Sequence, residues 1–103
     1  MNLAEVLQFR RSVRVYDKEK PIDPEKVKQC LELATLAPNS SNMQLWEFYQ
    51  ITEPELLAKI SKACLGQTAA STAPEIVIFV TRQDLYKKRA KFVLEFEKGN
   101  IDY

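Results

Sequence analysis

Ala37-Pro38-Asn39-Ser40-Ser41-Asn42-Met43-Gln44-Leu45-Trp46 is a polar loop set between two apolar segments, and it follows a second polar cluster, Arg10-Arg11-Ser12-Val13-Arg14. Neither cluster is needed to build a core. Polar groups persist in a fold where partners satisfy them, so the pair points to a site for an anionic ligand rich in hydrogen-bonding groups.

Working outward from the loop, Asp23-Pro24-Glu25 opens a helix on its N-terminal side, with Asp23 as N-cap, Pro24 at the first helical position and Glu25 at the positive end of the dipole. Val27, Cys30, Leu31 and Ala34 give that helix one apolar face, and Pro38 marks its stop. On the other side, Leu45 to Thr52 reads as a strand, with Trp46, Phe48 and Gln50 on one face and Glu47, Tyr49 and Ile51 on the other. Thr52-Glu53-Pro54-Glu55 is a capping-box start for a helix striped by Leu56, Leu57, Ile60 and Cys64 and ended by Gly66. Gln67 to Ala73 suits a short helix.

Glu75 to Thr81 is an apolar run without alternation, which predicts a strand covered on both faces. Asp84 to Lys98 reads as an amphipathic helix capped near Gly99-Asn100, with Ile101-Asp102-Tyr103 beyond it. At the start of the chain, Asn2 and Glu5 form a capping box for a helix from about residue 3 to residue 10. Val13-Arg14-Val15-Tyr16 is β-prone but short, and Asp17 to Pro21 is a solvated loop. Two strands make a marginal sheet, so the missing layers are expected from a partner subunit or from the rest of a longer fold.

The 103 residues suit a single domain over 1–103, and 15 Lys+Arg against 14 Asp+Glu leave a net charge of +1. No global field favours nucleic acid or an acidic membrane, and no apolar run approaches the roughly 20 residues of a bilayer span. The N-terminus lacks the basic and apolar regions of a signal peptide, which predicts a cytoplasmic protein. The sequence contains no histidine, so histidine acid–base catalysis and histidine metal ligation are excluded within it. Cys30 and Cys64 have no nearby partner for a metal set, and the stripe position of Cys30 predicts a buried, inert thiol.

Taken singly, arginines behind a helix suit its negative end, and Asn-Ser-Ser-Asn suits a turn. Three arginines with an intervening serine are also the ordinary vocabulary for phosphate. Together, Arg-Arg-Ser-x-Arg and the later Ala-Pro-x-Ser-x-Asn-x-Gln-x-Trp-x-Phe resemble the flavin-dependent nitroreductase family, across the whole chain. The resemblance implies an α+β fold with helices packed around a central mixed sheet, completed by a partner chain or a C-terminal half. It implies FMN as cofactor, NAD(P)H as co-substrate and a homodimer with shared flavin sites. Nitroaromatics, quinones or similar small molecules would be the acceptors in a ping-pong cycle, with the flavin carrying the chemistry and no metal, nucleic-acid or membrane partner.

On matching positions, the resemblance assigns Arg10 and Ser12 to the FMN phosphate and Arg14 to the pyrimidine edge of the ring. Arg11 contributes through its backbone or to the phosphate. Pro38, Asn39 and Ser40 belong to the loop that reaches the flavin of the partner subunit, with Asn42 as a ligand contact and Gln44 as a brace. Gln67 falls where a contact to the ribityl chain or ring is expected. Leu45 departs from the proline usual before the tryptophan, and the family extends well beyond this length, with a second basic phosphate group and a C-terminal arm. A second reading follows from that departure: a flavin-binding or dimerisation fragment without turnover. A nucleic-acid module using Arg10, Arg11 and Arg14 is disfavoured by the near-zero net charge.

Overall fold

The computed structural model describes residues 1–100; Ile101-Asp102-Tyr103 lie outside the described residues. The class is α+β, as expected. In chain order the elements are α1 (Leu3–Phe9), α2 (Pro24–Ala34), a 3-10 turn (Ser40–Asn42), β1 (Trp46–Ile51), α3 (Pro54–Ala63), α4 (Thr68–Thr72), β2 (Ile76–Thr81), a 3-10 turn (Gln83–Leu85) and α5 (Tyr86–Asn100). They form two compact units. One is Met1–Pro21 with Thr52–Ile76, and the other is Ile22–Ile51 with the chain from Val77 onward.

In the first unit, α1 begins with the expected capping box: Glu5 N–H donates to Asn2 Oδ1 at 2.9 Å, and Asn2 N–H donates to Glu5 Oε2 at 2.7 Å. Val13 to Tyr16 forms no strand; the Tyr16 N–H is held instead by the Thr72 hydroxyl of α4 at 3.0 Å. α3 starts without the capping box read from Thr52 to Glu55, because Glu53 is the N-cap and makes no side-chain cap bond. Pro54 at the helix start drives its predecessor into extended backbone, which moves the boundary one residue past Thr52. At the far end, Gly66 N–H reaches Ser61 O at 3.0 Å and Leu65 N–H reaches Lys62 O at 3.1 Å, a Schellman closure. Its left-handed position is taken by Leu65, φ 60°, with Gly66 following at φ 63°.

In the second unit, α2 is started by Glu25 N–H donating to Asp23 Oδ1 at 3.0 Å, with Pro24 in the first turn. β1 and β2 form a two-stranded antiparallel sheet, the part of the expected central sheet that the described residues contain. Arg82 N–H donates to Leu45 O at 2.6 Å, which sets the start of β1 beside the end of β2. The same register brings Phe48 against Phe79, ring centroids 5.1 Å apart and planes at 73°. α5 runs through Gly99 to Asn100 instead of stopping at Lys98.

No residue among those described is buried. β2 is therefore not covered on both faces: Phe79 is 71% exposed. Cys30 is exposed as well, correcting the buried thiol read from its stripe position: the cover on that side of α2 reaches Val27 and Leu31, which are half-buried, and not Cys30. Phe9 in the first unit, and Leu36, Phe92 and Phe96 in the second, are exposed as well.

Candidate functional site

The basic cluster lies just past α1, in the first unit. Arg10 Nη1 donates to Ser12 Oγ at 3.5 Å, so guanidinium and hydroxyl share one side of the chain. Arg11 turns the other way: its Nη1 donates to Gln8 O at 2.7 Å and Arg10 O at 3.1 Å, satisfying carbonyls at the end of α1. Arg14 is exposed and makes no hydrogen bond or ion pair among the described residues. Gln67, in the same unit, is the exposed N-cap of α4, and its carbonyl accepts the Ser71 N–H at 2.9 Å.

The Asn39–Gln44 loop, in the second unit, is strained. Ser41, Asn42 and Gln44 have φ of 49°, 50° and 53°, the left-handed region that residues with a Cβ enter at a cost of about 1–2 kcal/mol each. Its own side chains hold it there. Gln44 N–H donates to Asn39 Oδ1 at 2.9 Å, and Gln44 Nε2 donates to Asn42 Oδ1 at 3.2 Å. Asn39 thus braces the loop through its side-chain oxygen, and Asn39, Ser40 and Asn42 are all exposed. Pro38 and Asn39 also border an open groove of about 520 Å³ walled by Trp46, Phe48 and Phe79.

An ionic cluster anchors the strand that leaves the loop. Arg82 pairs with Asp84 through two bonds of 2.9 and 2.8 Å and with Glu47 at 2.9 Å, and the Tyr49 hydroxyl donates to Glu47 at 3.0 Å. Hydrogen bonding from Arg82 holds the Asp84 carboxyl below its ordinary range, and the bond to Glu47 pushes the Tyr49 phenol above its own. Nothing in the pattern of charges singled this cluster out. Arg89 was missed too, though the signal existed: it stands on the α5 stripe with Phe92, Val93 and Phe96, at a helical spacing where an apolar residue is expected.

The donor set fits a phosphorylated ligand. In the first unit, Arg10 has spare guanidinium donors beside a hydroxyl, and Arg14 makes no hydrogen bond or ion pair among the described residues.

A family model described as the Nitroreductase family matches residues 7–99. YdgI of Bacillus subtilis (strain 168), provisionally named an NAD(P)H nitroreductase, is 38% identical over 71% of this chain and 35% of its own length. The CLA biosynthesis enone reductase of Lactiplantibacillus plantarum is 30% identical over 97% of this chain and 48% of its own. Among solved structures, a provisionally named nitroreductase from Exiguobacterium sibiricum 255-15, in complex with FMN, superposes with a TM-score of 0.70 at 31% identity. It is matched over 98% of this chain and 49% of its own. The chain therefore spans half or less of the length of these relatives. No helix among the described residues is long and apolar enough to cross a membrane.

Proposed function

The chain belongs to the nitroreductase family, and from that premise we propose that it is the FMN-holding part of an NAD(P)H-dependent oxidoreductase. The observation that carries this reading is the pairing of Arg10 with Ser12, next to an Arg14 that makes no hydrogen bond or ion pair among the described residues. Arg10 and Ser12 hold the FMN phosphate by charge-assisted hydrogen bonds. Arg14 would serve the pyrimidine edge, where its charge would favour the reduced, anionic ring. Arg11 supports the turn by closing α1. Pro38, Asn39, Ser40 and Asn42 shape the loop that reaches a flavin across a homodimer interface, and Gln67 serves the ribityl chain or ring.

FMN, when bound, would supply the redox chemistry between NAD(P)H and a nitroaromatic, quinone or similar acceptor in a ping-pong cycle. The chain's own contribution is orientation and electrostatics, which agrees with a site that offers no histidine. The absorbance of the purified protein tests the reading: a bound-flavin band is expected, and a colourless protein that takes up no added FMN contradicts it.

The exposed Phe79 face and the share of the relatives' length favour a second reading, a flavin-binding or dimerisation fragment without turnover. Stopped-flow mixing with NAD(P)H separates the two. Reduction of bound FMN supports the enzyme, and its absence at full occupancy supports the fragment.

A further inference from the structure

α5 sends one cation back to the strained loop. Arg89 Nη1 donates to Met43 O at 3.4 Å and to Gln44 O at 3.3 Å, from a half-buried position on the helix. These carbonyls lie immediately after the left-handed Ser41 and Asn42, and one of them belongs to the left-handed Gln44. Strained backbone persists where its surroundings over-determine it. The Asn39 and Gln44 side chains brace the loop from within, whereas Arg89 tethers it to a separate element.

We propose that Arg89 is a positioning residue for the Asn39–Gln44 loop and, through that loop, sets the affinity of the flavin site. The effect on affinity rests on the flavin reading above; the effect on the loop does not. A guanidinium suits the task because its fixed fork can serve two adjacent carbonyls, and a carbonyl pair attracts a cation without a counter-charge. Phe92, Val93 and Phe96 line the open groove of about 480 Å³ beside the loop.

The test is amide hydrogen exchange of Asn42, Met43 and Gln44 in the full chain without flavin, for the unmodified protein, Arg89→Met and Arg89→Lys. Those amides donate to Asn39 O at 3.1 Å, Ser40 O at 3.1 Å and Asn39 Oδ1 at 2.9 Å, so their exchange reads loop opening. Arg89→Met is expected to speed it about ten-fold while β1 and α2 amides are unchanged, with Arg89→Lys between. FMN affinity, read by fluorescence quenching, is expected to fall in the same order and by a similar factor. If Arg89→Met also loses β1 protection it has unfolded, and Arg89→Lys then carries the comparison. Unchanged loop exchange overturns the proposal, and so does faster exchange with unaltered FMN affinity. Failure of the unmodified chain to bind FMN overturns the flavin reading, while loop exchange still decides the positioning role.

Discussion

The ring of Phe79 meets that of Phe48 edge-on across the antiparallel pair, centroids 5.1 Å apart, yet Phe79 remains 71% exposed. The pair follows from the strand register and leaves one aromatic face of the sheet open. An open face contributes only the cross-strand contact, worth about 0.5–1.5 kcal/mol. A face covered by another copy contributes a buried phenylalanine, and Phe→Ala then costs about 3–5 kcal/mol. The homodimer reading predicts the larger loss for Phe79→Ala, with a melting temperature of the parent chain that rises with protein concentration. A small loss with a concentration-independent melting temperature contradicts it.

Arg10 and Arg14 are assigned different tasks, and their variants should separate them. Arg14→Ala is predicted to lower the reduction potential of bound FMN and slow its reduction by NAD(P)H, because a nearby cation favours the anionic reduced ring. Arg10→Ala is predicted to weaken FMN binding about ten-fold or more and leave the reduction rate of the bound fraction unchanged. Equal reduction rates in both variants at full occupancy contradict the division.

The Glu47–Tyr49–Arg82–Asp84 cluster predicts opposite pH limbs. The depressed Asp84 carboxyl contributes stability that is present above its unfolded titration range and lost as pH falls through its folded value. The raised Tyr49 phenol contributes stability that is present below its unfolded value and lost as pH rises through the folded one. Arg82→Met is expected to flatten the acid limb of the unfolding curve. Glu47→Gln is expected to return the ultraviolet titration of Tyr49 toward that of an ordinary phenol.

Leu65 occupies the left-handed closing position of α3 at φ 60° while 89% exposed, so it carries a backbone cost with little burial in return. Leu65→Gly removes that cost and adds unfolded-chain entropy, for a net gain of about 0.5 kcal/mol. A small rise in the denaturation midpoint checks it, and a fall contradicts it.

The helix starts at Asn2 and Asp23 were legible because short polar caps act through local bonds that tertiary context rarely overrides. Leu65 was not, since a left-handed leucine gives no signal where a glycine would. The same holds for Ser41 and Gln44. Cys30 stands on the stripe with half-buried Val27 and Leu31 yet is exposed, since periodicity states which face seeks cover and not how far the cover extends. Within the candidate site, the order of polar residues was readable. The brace from Asn39 and the tether from Arg89 were not, because both depend on contacts that sequence spacing does not encode.

The central claim is that Arg10 and Ser12 recognise the phosphate of a flavin. Fluorescence-quenching titrations of the full chain with FMN and with riboflavin test it most directly, since the two ligands differ only in that group. Binding of FMN at least about ten-fold tighter than riboflavin is predicted, because loss of the phosphate leaves the guanidinium donors without their charged acceptor. Equal affinities, or no binding of either, would contradict it.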